Sequence, residues 1–332
     1  MVFALHILIL SAHLLAMNVG AGGPITLMFL EWKASRGSSL WRGAANYLAS
    51  ATIAGLLIGS LLGAVLVALL YSPEFAQLWT TRLRHKAEMA TLELLISLAI
   101  MVVYRYWAAP GAIGRWAFLS RMGLLLFAGT NLLYHFPVLF LIGSTLRDEA
   151  AISGEPIKGA LFREQLVRGE IASVAVHVVL ACLAVSGMMV LGYALRVMKQ
   201  AGEDETARRE GEGLAVAGAW LSLGPTLLQL PTGLWSLSVM GTGLQSQLMG
   251  SDPIATTLFL LSLGAAFWLM RQLAAIALGD VTRRDMIRAM ILMVATVVLM
   301  TGMHHAGREA ARKKRNPPPQ AAQLTDRLPS RS

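Results

Sequence analysis

The stretch that most constrains this chain runs from Arg168 to Lys199. Its interior, Ile171 to Leu195, carries no formal charge. At about 1.5 Å per residue, a helix of that length crosses the roughly 30 Å hydrocarbon core of a bilayer. Arg168 and Glu170 stand at one end and Arg196 and Lys199 at the other, as polar flanks of a spanning helix do. His177 lies about two turns in from the Arg168 end. An imidazole in lipid is costly, so it is expected to face protein and to have a partner there. Gly187 and Gly192 offer a narrow face on which a neighbouring helix can lie close. The segment reads as the central post of an all-α membrane protein, with His177 as its working residue.

Composition agrees with that reading. The 332 residues are 55% hydrophobic and only 14% charged, with a net charge of +9, whereas a soluble domain carries about 25% charge. Mean hydropathy is +0.59. The positive charge falls in connectors and in the tail, where it suits anionic lipid headgroups; nothing points to nucleic acid. The single cysteine, Cys182, lies mid-span, which excludes an intrachain disulfide, and the Cys-x-x-Cys-His signature of covalently attached haem is absent. Met1 to Gly23 is apolar but lacks a basic start, so it reads as a retained first span and not as a cleaved signal.

Hydropathy and flanking charge predict a bundle of eight transmembrane helices, over about 2–30, 44–71, 88–108, 116–146, 169–197, 213–240, 254–278 and 286–305. The bundle thus covers 1–305, and 306–332 reads as a basic, disordered tail with Arg312-Lys-Lys-Arg315 and a proline run. Span one contains His6, His13 and the small-residue run Asn18 to Pro24. Span two repeats Gly55, Gly59 and Gly63, a ladder for close helix contact. Span three carries Glu88 and, one turn deeper, Glu93. Span four holds Asn131 and the cluster Tyr134-His135-Phe136-Pro137. Gly224-Pro225 and Gln229-Leu-Pro-Thr-Gly233 predict that span six is broken or kinked. Of the 28 Lys and Arg, the connectors after odd spans, counted with the adjoining parts of the spans, hold 14, those after even spans 7 and the tail 7. The first two counts favour an external N-terminus, and the tail offsets them, leaving orientation open.

With odd spans leaving the N-terminal face and even spans returning to it, all seven histidines fall in the half of the membrane nearest that face. His13, His135 and His177 are the deep ones. His6, His85, His304 and His305 lie nearer the interface and are secondary candidates. Glu93 shares the layer. A lone intramembrane His can simply bond to a neighbouring helix, and Glu93 can pair with a base, Tyr or His. Most methionines are packing residues; Met17, Met249 and Met303 lie near the layer and are candidate ligands. Deep histidines on separate helices suit b-type haem, whose iron takes His or Met axially. Zinc requires three or four converging ligands. No His-x-x-x-His pair occurs, and the adjacent His304 and His305 point to different faces.

These residues resemble subunit I of the cytochrome bd quinol oxidases. His177 followed by Gly187-Met188 and Leu191-Gly192 is similar to that family's helix with the low-spin haem b histidine. Ala12-His13-Leu14 and the apolar run to Glu31-Trp32 resemble the helix serving the high-spin haem region. Leu92-Glu93-Leu94 resembles part of the carboxylate-bearing helix, with His85 where a second glutamate is expected. Ala128 to Leu132 is like the fourth helix and Gln229 to Gly233 loosely like the sixth. The likeness covers about residues 1–240. It implies two or three b haems, with His13 and His177 as iron ligands, Met249 as a partner ligand and Glu93 as a proton-linked group; His135 joins the candidate iron ligands by its depth in the layer alone. Three features depart from the family: span six lacks its Gly-Asp, the connector after it is too short for a quinol-binding loop, and His135 has no counterpart.

The chain is therefore expected to be a haem b electron-transfer subunit of a respiratory complex, a divergent relative of the bd oxidases in a bacterial inner membrane. Its expected partners are another membrane subunit, a cytochrome c, or both, with a role for quinol left open. Two other classes compete. One is a proton-coupled transporter with His and Glu93 as a relay and a broken span six at its substrate site. The other is a haem-free structural subunit.

Overall fold

The computed structural model describes residues 2–69, 71–107, 113–148, 157 and 159–315. Among these described residues, eight helices are long and apolar enough to cross a membrane. They are α1 (Val2–Ala34), α2 (Ser39–Leu69), α4 (Arg84–Tyr106), α5 (Arg115–Asp148), α7 (Gly169–Ala201), α8 (Glu205–Val239), α10 (Pro253–Ala277) and α11 (Arg283–Arg315). Short helices α3 (Pro73–Gln77), α6 (Gly159–Val167) and α9 (Thr242–Ser246) lie in the connectors, and no strand occurs among the described residues. The protein is an all-α integral membrane bundle, and each expected span has its helix.

The centre is built by small residues. On α7, a Cβ at Gly187 would meet the Ser222 backbone nitrogen of α8 at 2.6 Å, and one at Gly218 of α8 would meet the Leu191 nitrogen at 2.7 Å. These two helices therefore touch backbone to backbone. Gly192 does not take part: its Cβ would meet only the Met290 sulfur, at 3.7 Å. The ladder on α2 is turned towards α1, where Gly55 faces the Ala16 carbonyl oxygen, Gly59 the Met17 side chain and Gly63 the His13 ring. The small-residue run of α1 is shared between two neighbours: Gly22 lies against the Cys182 carbonyl of α7, and Gly20 and Gly23 lie against Leu56 and Thr52 of α2. The Cys182 thiol donates to Asn18 Oδ1 at 3.2 Å. Helix α7 packs against α8, α1, α5, α2 and α11, the central position expected of it.

Two expectations are revised. Of the break or kink expected in span six, the break does not occur: α8 is continuous through Pro225 and Pro231. Within the Pro-containing turns, the Thr226 hydroxyl donates to the Ser222 carbonyl, and that of Thr232 to the Leu228 and Gln229 carbonyls. These carbonyls neighbour those of Leu221 and Leu227, which Pro225 and Pro231 leave without their i+4 donor. The tail also begins later than expected. Helix α11 continues to Arg315, carried by Ala, Glu and Lys, which are strong helix formers, and by a Lys313–Glu309 pair at i,i+4. Residues 316–332 lie outside the described residues.

Candidate functional site

The alternation of helix directions brings the histidines to one end. The clearest sign is at the chain's two extremes: the rings of His6 on α1 and His305 on α11 lie 5.0 Å apart. His85 is in the first turn of α4 and is exposed. His304, next to His305, is half-buried, and Met303 beside it packs against an apolar cluster of Leu248, Ala255 and Ala306.

His13, His135 and His177 occupy α1, α5 and α7, three helices in mutual contact. His13 Nδ1 lies 2.8 Å from the Gly59 carbonyl oxygen of α2. A carbonyl only accepts, so Nδ1 carries the hydrogen and donates it, which leaves the Nε2 lone pair available. His177 differs: its Nδ1 is buried and has no hydrogen-bond partner. His135 lies in α5, two residues before Pro137.

Residues flanking these positions converge in one apolar cluster. It includes Met17, one turn from His13, Leu94 beside Glu93, Leu132 and Leu133 before His135, and Val178 and Cys182 after His177. Glu93 is half-buried. It lines a cavity of about 320 Å³ with His85, Lys86, Tyr134, Phe162 and Arg163. Helices α4, α5 and α6 thus supply a pocket with a carboxylate, an imidazole and two cations. Met249 stands apart. It is 63% exposed, in a turn that packs on α10 and α11 and reverses at Gly250, where φ is 123°. No group of three or more His, Cys, Asp or Glu converges on a metal-sized site among the described residues.

A second polar centre, at the opposite end of the bundle, escaped the sequence reading. Glu31, near the end of α1, is fully buried. Arg121 of α5 donates Nε to Oε1 at 2.9 Å and Nη2 to Oε2 at 3.0 Å. Arg42 Nη1 and the Tyr104 hydroxyl each donate to Oε2 at 2.7 Å. The third Arg121 nitrogen donates to the Trp107 carbonyl at 2.9 Å, and its guanidinium lies 4.3 Å from the Tyr104 ring centre. Four helices are tied together there. The signal was present in the sequence: Arg121 falls inside a predicted span, and an intramembrane cation needs an anion.

No family model matches the chain, and no curated protein does. A solved structure does resemble it. A chain of the bd oxidase from Geobacillus thermodenitrificans aligns with a TM-score of 0.67, covering 94% of this chain and 86% of that one, at 12% identity. The fold is shared. At that identity the likeness speaks for helix arrangement, and the assignment of residues rests on their own geometry.

Proposed function

We propose that this protein is a haem b electron-transfer subunit of a respiratory membrane complex, divergent from the bd oxidases, in a bacterial inner membrane. The observation that carries the reading is the histidine layer set in a bundle that matches a bd oxidase chain over nearly its whole length. Non-covalent b-type haem supplies one-electron chemistry when bound, its potential set by axial ligands and surroundings.

The residues fit such a group. His13 spends Nδ1–H on Gly59, an outer bond of the kind that orients a ligating imidazole and fixes its tautomer. His177 keeps a buried nitrogen without a protein partner, a costly state for a group that does nothing else. His135 is the third candidate. Glu93, with His85 at its side in the cavity, is placed to hold or release a proton as charge in the layer changes. The transporter alternative leaned on a discontinuous span six, and α8 is continuous. Another membrane subunit, a cytochrome c, or both remain the expected partners.

The test is a reduced-minus-oxidised spectrum of the purified full chain, with acid-acetone extraction. Extractable b haem is expected, and His177→Ala should remove one low-spin signal while the protein stays inserted. A colourless, folded preparation from haem-sufficient cells overturns the proposal.

A further inference from the structure

Arg121 and Arg42 share one carboxylate but are left in different states. Arg121 has its Nε and Nη2, the side-on edge of the guanidinium, on the two oxygens of Glu31, and its Nη1 on a carbonyl. Arg42 gives Glu31 only Nη1. Its Nε and Nη2 are buried and have no acceptor, in a side chain that is only 10% exposed. Those two nitrogens form the fork that grips carboxylate or phosphate bidentately. One helical turn along α2, Asn46 Oδ1 is also buried without a partner.

Charge points the same way. Two guanidinium groups against one carboxylate leave the cluster with an excess positive charge. Arg42 sits in the first turn of α2, which begins at Ser39, where the helix dipole adds further positive potential. The surroundings mark a membrane interface. Lys33 lies 5.0–5.8 Å from the ring centres of Trp32, Trp41 and Phe29, and Arg36 lies 4.4 Å from that of Trp32. Aromatic rings flanked by cations at helix ends belong at headgroup depth.

We infer that Arg42 is the phosphate-binding residue of a lipid site at the end of the bundle opposite the histidine layer. Its fork takes two oxygens of the phosphate diester of an anionic glycerophospholipid. Asn46 Oδ1 accepts a headgroup hydroxyl, and Lys33 and Arg36 stand at the rim. A free phosphate offers the same oxygens; the depth of the site and its aromatic rim favour the lipid. The site is independent of haem, and a failure here leaves the electron-transfer reading untouched.

The experiment uses the full chain, purified, delipidated and returned to nanodiscs or detergent with one additive at a time. Phosphatidylglycerol is expected to raise the melting temperature and to remain bound in native mass spectrometry. Arg42→Lys keeps a cation for Glu31 but lacks the fork, and its lipid retention should fall at least tenfold. Asn46→Leu serves as the second variant should Arg42→Lys fail to fold, with retention again reduced. Equal retention by wild type and a folded variant means only loosely held boundary lipid and overturns the proposal. Equal stabilisation by inorganic phosphate overturns the lipid assignment. A wild-type melting temperature indifferent to phosphatidylglycerol overturns the site altogether.

Discussion

Arg121 grips Glu31 with the full edge of its guanidinium, 2.9 and 3.0 Å to the two carboxylate oxygens, across ninety residues of sequence. Both groups are sealed, at 1% and 0% exposure. Breaking such a pair is costlier than its net contribution, because the remaining charge stays buried without compensation. Glu31→Gln leaves Arg121 and Arg42 facing a neutral amide, so a loss of about 3–5 kcal/mol is expected. The measurement is reversible unfolding or detergent melting of the apo and as-purified protein. A variant as stable as wild type would mean that water, not the protein, satisfies the cluster.

Why this cluster was missed while the bundle was read correctly is a matter of period and distance. A span is announced by a local run of apolar residues, as in Ile171 to Leu195, and needs no knowledge of its neighbours. The direction of each helix follows from counting, which is why His6 and His305 could be set on one face before their rings were seen in contact. The pairing of Glu31 with Arg121 is a long-range fact without local signature: Arg121 inside a predicted span calls for an anion, and nothing near it in sequence says which. Glycine spacing was legible as a tendency to pack, yet only the neighbour decides which glycine counts: Gly187 meets α8 and Gly192 does not. Prolines are ambiguous in the same way: Pro225 and Pro231 predict a break or a kink, and only the packing around α8 decides that the helix runs through them unbroken.

The two glycines of α7 give a paired prediction. A methyl at Gly187 would lie 2.6 Å from the Ser222 nitrogen, so Gly187→Ala should separate α7 from α8 and cost about 1–3 kcal/mol. Gly192→Ala meets only a methionine sulfur at 3.7 Å, and should be neutral or gain up to about 1 kcal/mol from helix propensity. Thermal melting of both variants in one detergent checks the contrast. Equal effects would refute the backbone contact.

Quinol oxidation by the isolated chain should be weak or absent. Between α8 and α10 the chain makes only the short α9 and a tight turn over Gln247–Ser251 before Asp252 caps the next helix. That connector offers little surface for a quinol ring. Steady-state oxygen uptake with a soluble quinol measures it, and robust turnover by this polypeptide alone would contradict the expectation.

The final prediction separates the residues of the histidine layer by role. His13 is held by Gly59, so His13→Ala removes both a candidate iron ligand and an α1–α2 bond; it should abolish a high-spin or ligand-reactive signal. His13→Gln, which restores a donor towards Gly59, should recover stability without that signal. His135→Ala should disturb the same signal or a separate low-spin one. Glu93 belongs to the neighbouring cavity and should be dispensable for haem retention. Its effect is on protons: a carboxylate that takes up a proton when an electron enters makes the midpoint potential fall as pH rises. The slope is at most about 59 mV per pH unit for one electron and one proton. Glu93→Gln cannot take up that proton, so its potential should be flatter with pH, while the wild type slopes downwards. Redox titration of wild type and all four variants at several pH values decides the matter. If every variant keeps wild-type spectra and slopes, the shared depth of these residues has no electron-transfer role, and a transporter or structural function takes its place.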